Sequence, residues 1–335
     1  MTAAPLQFQD ALCSGLRARL QADAVPHGLL FAGPAGCGKS TLARWFAQAL
    51  LCRAAGSAAP CGDCQSCRLL AAGNHSDLHL VALDREAGRF QIPVEDIQQL
   101  IAALSMRSHL GARRVALIDG AEAMTEEAQN CLLKTLEEPR PGTFLLLTAR
   151  QPEALLPTIL SRVQRLRLRA LAEGELTQVL DQMGCAPGPS RSLVADWCQG
   201  SPGLAVELLA GDPAALDQDA ARLLQDPAAV EPTEAAARWL AGDAEQKATR
   251  AQANDLARRQ LSLLPRAARA WLGRALAAAG SDSYHPGWFE RLDLLAEECH
   301  RSSQELALNL DPAAVLENLV LRLGRRLARA DLPRN

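Results

Sequence analysis

Aromatic residues are scarce in this 335-residue chain, where one Tyr, five Trp and six Phe amount to 4%. A pleated β interior draws on aromatic and β-branched side chains, so the shortage argues against an all-β sandwich and for helix-rich packing by the abundant Ala and Leu. A surplus of positive charge is missing too. The formal net charge is −3 and the pI is near 6.1, which gives no general field for nucleic acid; any DNA contact is expected to be local or made through partner subunits. Apolar runs of membrane-spanning length are absent, which excludes a helical membrane anchor in this sequence. The start, Met1-Thr2-Ala3-Ala4-Pro5, lacks the basic-then-apolar order of a signal peptide, so a cytoplasmic protein without membrane contact is expected. In that compartment the ten cysteines are expected to be metal ligands or small buried residues rather than disulfides.

What the chain does have is Gly33-Pro34-Ala35-Gly36-Cys37-Gly38-Lys39-Ser40-Thr41, a complete G-x-x-x-x-G-K-S loop. It follows the apolar run Leu29-Leu30-Phe31-Ala32 and opens into Leu42-Ala43-Arg44-Trp45-Phe46-Ala47. That order predicts strand, phosphate loop and helix. Gly33, Gly36 and Gly38 let the backbone curl so that successive N–H groups point into one anion-sized hollow, and the helix adds the positive end of its dipole. In such a loop Lys39 reaches the β- and γ-phosphates, while Ser40, followed by Thr41, holds Mg²⁺. The plain alternative, a Gly-rich turn with no ligand, is disfavoured by the strand before it and the helix after it.

After a helix expected to run to about Leu51 comes Cys52, then Cys61-Gly62-Asp63-Cys64-Gln65-Ser66-Cys67. The segment between, Arg53 to Pro60, is rich in Ala, Gly and Ser and reads as a loop. Two overlapping C-x-x-C steps and a fourth Cys supply four soft thiolates, the donor set of a closed tetrahedral Zn²⁺ site. With all four positions taken by protein, such a metal is structural and orders an excursion too small to have its own core. Four unconnected thiols and an iron–sulfur cluster are the competing readings.

Further strands are expected at Leu78–Leu83, at Arg113–Asp119 and at Phe144–Ala149, alternating with helices at Val94–Ser105 and at Thr125–Pro139. Leu155–Arg162 reads as a short helical element ending in a basic residue. Asp119, at the end of an apolar strand downstream of a phosphate loop, is the candidate carboxylate for ordering the Mg²⁺ shell. Strands separated by helices predict an α/β fold with a three-layer parallel sheet and the ligand at the strand C-termini. From Leu171 strand signals stop. Three short helices, Leu171–Gly184, Ser190–Gln199 and Pro202–Ala210, are followed by an Ala-, Leu- and Arg-rich helical remainder. His75, His79 and His109 stand apart in sequence with no nucleophile nearby, and are expected to be surface or core residues.

Three features carry a resemblance to a known family. They are the phosphate loop followed at once by the four-cysteine module; Asn130-Cys131-Leu132-Leu133-Lys134-Thr135-Leu136-Glu137-Glu138-Pro139, close to N-A-L-L-K-T-L-E-E-P; and Leu156-Pro157-Thr158-Ile159-Leu160-Ser161-Arg162-Val163, close to L-P-x-T-I-L-S-R-C. On these the chain resembles the clamp-loader AAA+ subunits of bacterial DNA polymerase III, through motifs in its first 210 residues and by helical character beyond. The resemblance implies an AAA+ domain with a zinc module at 1–168, a helical lid at 169–211 and an all-α collar at 212–335. It implies a hetero-oligomeric ring with gamma/tau-type motor subunits and a delta-type clamp-opening subunit, acting through the complex on a sliding clamp and primed DNA.

Residue roles follow from the same resemblance. Arg162 is implied to act in trans as a finger on the ATP of a neighbouring motor subunit, and Thr148 to stand at the sensor-1 position. ATP and Mg²⁺ are implied ligands of the loop. The glutamate that orients water in motor subunits is replaced by Gly120, and the lid arginine of G-S-x-R by Gly203. These losses favour a stator that hydrolyses ATP poorly. An active motor ATPase of the same assembly and a small-molecule P-loop kinase are the competing readings.

Overall fold

The computed structural model describes residues 9–54, 60–83, 91–106, 113–185, 187–209, 211–240, 250–279, 287–308 and 310–329. His109, the first eight residues and most of the expected loop after Cys52 lie outside them. The chain forms two compact units. One comprises residues 1–84, 89–180 and 200–204, and the other 85–88, 181–199 and 205–335. The stretch expected to form the lid, 169–211, is shared between the two.

The first unit begins with α1 (Asp10–Gln21), β1 (Gly28–Ala32), α2 (Lys39–Leu51), α3 (Gln65–Ala71) and β2 (Leu78–Ala82). It continues with α4 (Val94–Ser105), β3 (Arg114–Asp119), α5 (Glu126–Glu137), β4 (Thr143–Ala149), α6 (Pro157–Leu160) and β5 (Gln164–Arg167). The five strands form one sheet in the order β2-β3-β4-β1-β5, with parallel pairing throughout. β1 therefore lies inside the sheet and delivers the phosphate loop from its C-terminal edge.

Alternation along the strands sorts the core into two faces, because successive side chains leave a strand on opposite sides. Leu29, Phe31, Val115, Leu117 and Leu146 pack with Leu42, Phe46 and Leu50 of α2 and Leu16 of α1. Leu30, Ala116, Ile118, Leu145 and Leu147 pack with Ile97 and Leu100 of α4 and Leu132 and Leu136 of α5. The expected three-layer parallel arrangement is present. Truncating any one of these fully buried leucines to Ala would cost about 2–5 kcal/mol.

Local chemistry sets the helix ends. Thr125 Oγ1 accepts from Ala128 N–H and starts α5, and Pro139 follows two residues after its end, as the sequence suggests. α4 spans the expected residues, Val94–Ser105. β5 is a difference from the sequence reading, which has no strand there. Its sequence, Gln-Arg-Leu-Arg, shows neither an apolar run nor burial beyond its leucine. It is an edge strand held by backbone pairing to β1, and charge on an edge discourages further pairing.

The second unit is helical. It contains α8 (Pro189–Cys198), α10 (Pro213–Gln225), α11 (Pro232–Leu240), α12 (Arg250–Ala279), α13 (Gly287–Ala307) and α14 (Pro312–Arg329), while α7 (Glu173–Gln182) and α9 (Pro202–Leu209) each span a boundary between the units. Leu316, Leu319, Val320 and Leu323 bury one stripe of α14. On the same helix Arg322 donates to Glu298 at 2.7 Å, to Glu305 at 3.0 Å and to Ser302 Oγ at 2.6 Å, and Arg326 donates to Glu298 at 2.8 Å. Glu298 is 1% exposed, so this network ties α13 to α14 inside the packing. No described helix is long and apolar enough to cross a membrane.

Candidate nucleotide and metal sites

The loop between β1 and α2 has the backbone an anion site needs. Gly36 and Gly38 both lie in the left-handed region, with φ of 69° and 94°, which side-chain-bearing residues rarely adopt. No backbone carbonyl among the described residues accepts from the N–H of Gly36, Gly38, Lys39 or Ser40. N–H groups at a helix start fit a phosphate by hydrogen bonding and by dipole, although here that of Lys39 is directed at the Cys37 thiol. Lys39 is 7% exposed, and its ammonium donates to Pro34 O at 2.6 Å. Burial lowers its pKa, while the charges of Glu122 and Asp119 act the other way. Thr41 stands on the first turn of α2 and is exposed.

Asp119 collects the polar groups expected around Mg²⁺. Ser40 Oγ donates to Asp119 Oδ1 at 2.6 Å and Thr148 Oγ1 donates to the same oxygen at 2.7 Å. Gly120 N–H in turn donates to Thr148 Oγ1 at 2.9 Å. Asp119 ends β3, Thr148 is the penultimate residue of β4 and Ser40 is the second residue of α2, so three elements converge at the C-terminal edge of the sheet. The donor set of hydroxyl and carboxylate oxygens suits a hard cation.

The turn around residues 200–204 lies against the outer side of the loop. Ser201 Oγ donates to Ala35 O at 2.6 Å and Gly203 N–H donates to Gly36 O at 3.0 Å. A side chain at position 203 would bring its Cβ to 2.9 Å from Gly36 O. Glycine is thus demanded here by close backbone approach, which sequence spacing alone does not reveal.

Arg162 follows α6 and stands about a third exposed, with Nη2 at 2.5 Å from Glu137. Its Nη1 donates to Thr158 O at 2.9 Å and to Ser161 Oγ at 3.1 Å. No described contact joins it to the phosphate loop of its own chain. Two residues that the sequence reading did not single out, Glu122 and Arg150, also border the loop; Arg150 Nε lies 3.2 Å from Glu122 Oε1. The only sequence signal was the spacing Asp119-x-x-Glu122.

The four cysteines are gathered as expected. Cys52, Cys61, Cys64 and Cys67 bring their Sγ atoms within 4.8 Å of one another, with Cys52–Cys64 at 4.0 Å and Cys61–Cys67 at 3.9 Å. A tetrahedral zinc with Zn–S bonds of about 2.3 Å sets sulfurs about 3.8 Å apart, so the cluster fits the ion closely. Backbone N–H groups of Cys61, Cys64 and Cys67 point at the sulfurs of Cys52, Cys61 and Cys64, at 3.4, 3.4 and 3.5 Å. Burial acts to raise the Cys64 thiol, but N–H groups of Arg53 and Cys67 and the neighbouring thiols outweigh it and bring its pKa to about 6. Burial pushes Cys67 up to about 12.

The module is moored to the sheet. Asp77 N–H donates to His75 Nδ1 at 3.1 Å, so the proton of this neutral imidazole is on Nε2, which donates to Ser66 Oγ at 3.0 Å. His75 is 6% exposed and its pKa is lowered by burial. It is a core histidine, in keeping with the sequence reading. His79 is partly buried on β2.

A parallel sheet with an inner strand feeding an intact phosphate-loop sequence, with a serine–aspartate pair beside it and a four-thiol module, is a P-loop α/β arrangement. Residues 8–172 match the family model described as DNA polymerase III, delta subunit. It is 44% identical over 155 residues to the DNA polymerase III subunit delta' of Pseudomonas aeruginosa, covering 46% of this chain and 46% of that protein. It is 32% identical over 197 residues to the Escherichia coli subunit delta', covering 59% and 58%. To the subunit tau/gamma of Haemophilus influenzae it is 35% identical over 179 residues, covering 53% and 25%. The chain thus spans about half the length of the curated delta' relatives it matches.

Proposed function

We propose that this chain is a clamp-loader subunit of the delta' kind, a stator that binds ATP with Mg²⁺ and hydrolyses it poorly. It stands in a hetero-oligomeric ring beside gamma/tau-type motor subunits and a delta-type subunit. Through that complex it helps to load a sliding clamp onto primed DNA. The division into an AAA+ domain at 1–168, a lid at 169–211 and a collar at 212–335 belongs to the same proposal, as does a cytoplasmic location.

The observation that carries this reading is an intact phosphate loop whose hydrolytic companions are gone. Position 120 is glycine, and position 203 is a glycine with no room for a side chain. Lys39 and the loop N–H groups hold phosphate oxygens, while Ser40 and Asp119 hold the Mg²⁺ shell. Thr148 fixes the Asp119 carboxylate by the hydrogen bond described above. Losing the charge that steadies a transition state typically costs a factor of about 10²–10³ in rate. Arg162, about a third exposed and with no described contact to its own loop, is the arginine offered to the next subunit. A finger of that kind raises phosphoryl transfer by about 10³–10⁵. Zinc at Cys52, Cys61, Cys64 and Cys67 is structural, since four thiolates leave no position for water.

Gel filtration of the full chain mixed with motor and clamp-opening subunits, followed by steady-state ATP turnover of the chain alone, tests the proposal. Co-elution and negligible turnover are expected. Turnover near ~1 s⁻¹ without partners, the range of ordinary enzymes, would overturn the stator reading in favour of a motor.

A further inference from the structure

The helices of the second unit leave a cavity of about 210 Å³ where α9, α10, α11 and α12 meet. Leu208, Leu216, Leu256 and Leu263 give it an apolar wall, and Arg238, Arg259 and Gln260 a polar one. Two acids border it as well, but both are occupied. Asp219 is buried and accepts from Arg238 Nη2 and from Trp239 Nε1, each at 2.8 Å, and Asp212 Oδ1 caps α10 by accepting from the N–H groups of Ala214 and Ala215. Arg259 is not occupied in this way. Its charged neighbour among the described residues is Glu207, at 3.9 Å, and its guanidinium makes no hydrogen bond among them although the side chain is only 22% exposed. Five donors sheltered from bulk water and bonded to nothing in the protein favour an acceptor that comes from outside. Gln260 Oε1 is the reverse case. It is a buried acceptor with no hydrogen-bond partner among the described residues, a cost that a donor entering beside it would relieve.

We propose that this cavity holds the carboxyl-terminal residue of a partner chain, with an apolar side chain on the leucines, the α-carboxylate on Arg259 and the amide N–H toward Gln260. The site is independent of the phosphate loop and of any nucleotide there. Apolar side chain, carboxylate and N–H are all carried by one Cα, so a single terminal residue supplies what each part of the wall lacks. Sites for drug-sized ligands and cofactors run to about 300–1,000 Å³. This cavity is smaller, which suits one residue rather than a nucleotide. An arginine fork takes a carboxylate in two parallel hydrogen bonds, and capture of a terminal carboxylate is a recurring mode of peptide recognition. Arg238 lines the same cavity, gives Asp219 one of its nitrogens and is 44% exposed, so it can meet an acidic residue just upstream. A free apolar carboxylate shares the chemistry of the terminal residue, but only a chain would engage Arg238 as well.

The test is fluorescence anisotropy of the full chain with a labelled hexapeptide that ends in Asp-Leu and a free carboxyl group, beside the same peptide amidated at that end. Amidation is expected to weaken binding by about tenfold, the size of one charged hydrogen-bonded pair. Arg259→Ala is expected to bind both peptides alike, at the level of the amide, and Arg259→Lys, which keeps the charge and loses the fork, to fall between. A second variant blocks the site without removing the arginine. A Cβ at position 211 would meet Arg259 Nη2 at 3.5 Å, an ordinary contact, so Gly211→Asp sets a carboxylate of the chain's own against the guanidinium. It is expected to bring the free-acid peptide down to the level of the amide with the circular dichroism unchanged. Equal binding of acid and amide by the unmutated chain, no saturable binding of the acid up to about 1 mM, or a preference that survives Arg259→Ala would overturn the site. N-acetyl-leucine competing as well as the unlabelled peptide would overturn the partner chain as occupant in favour of a small carboxylate.

Discussion

The N–H of Gly203 donates to the carbonyl of Gly36 across 3.0 Å. A Cβ at position 203 would lie 2.9 Å from the oxygen and 3.1 Å from the Cα of the left-handed Gly36, so this approach requires glycine at 203. The position where the resemblance implies a lid arginine is thereby used up in gripping the loop. Two carbonyls of the phosphate loop, those of Ala35 and Gly36, are thus occupied by Ser201 Oγ and Gly203 N–H.

Gly203→Ala should loosen that grip. Its Cβ would meet Gly36 O at 2.9 Å, closer than packed atoms tolerate, and overpacking of this kind costs about 1–3 kcal/mol. Thermal unfolding should fall accordingly, and hydrogen exchange at residues 33–38 should quicken. Ser201→Ala, which removes the bond to Ala35 and the longer one from Leu204 N–H, should quicken the same amides with a smaller loss of stability. Unchanged exchange in both variants would show that the grip has no consequence for the loop.

The chain should carry close to one equivalent of zinc when purified without added metal. Cys64→Ala should drop that below about a tenth, since three thiolates and water make a weaker site. The sheet should stay folded, because its two apolar faces are built from strands and helices other than the module. Atomic emission together with far-ultraviolet circular dichroism reads both outcomes. A Cys64→Ala protein that keeps its metal would refute the assigned ligand set.

Arg162→Ala should leave fold and assembly intact. The Arg162–Glu137 pair is half-exposed, and such pairs contribute at most about 1 kcal/mol. DNA-stimulated ATP turnover by the reconstituted complex should nonetheless fall, with the deficit confined to the motor subunit next to this chain. Turnover and clamp loading at the unmutated rate would reduce Ser161-Arg162 to a family likeness without a working role.

Acid should weaken the second unit through Glu298. Burial alone would raise its pKa, but the bonds from Arg326 and Arg322 outweigh burial and hold it below the ordinary value. A carboxylate depressed on folding adds stability above its unfolded pKa, about 4.3 for Glu, and loses it as pH falls through the folded value. Glu298→Gln should therefore lower the melting temperature near neutrality and flatten its decline below pH ~4.3. A variant whose pH profile matches wild type would rule this network out as the source.

Most of the first unit was legible because each element announced itself chemically. Leu29–Ala32 and Phe144–Ala149 are apolar runs, Thr125 caps a helix, Pro139 follows its end, and the glycines of the loop are spaced by what a phosphate requires. β5 was not legible, since an edge strand of glutamine, arginine and leucine owes its existence to the β1 backbone rather than to its own burial. Ser40, Asp119 and Thr148 were singled out one by one, but their shared hydrogen bonds were not. Glu122 and Arg150, which sequence separates by 28 positions, meet only because β3 and β4 are neighbours. Gly203 was readable as a missing arginine and not as a contact.

β1 is hydrogen bonded to β4 on one side and to β5 on the other. At its end Leu168 N–H donates to Ala32 O at 2.7 Å, one residue before the phosphate loop begins, while β5 starts two residues after Arg162. If Arg162 serves another subunit's nucleotide, the hand that receives a signal and the hand that passes it on are joined at one stiff wrist. In that case a shift of Gly33 would reach Arg162 along ladder hydrogen bonds rather than through a slack connection. A ring built from such links would keep its play at the joints between subunits and transmit, within each one, with little delay or loss.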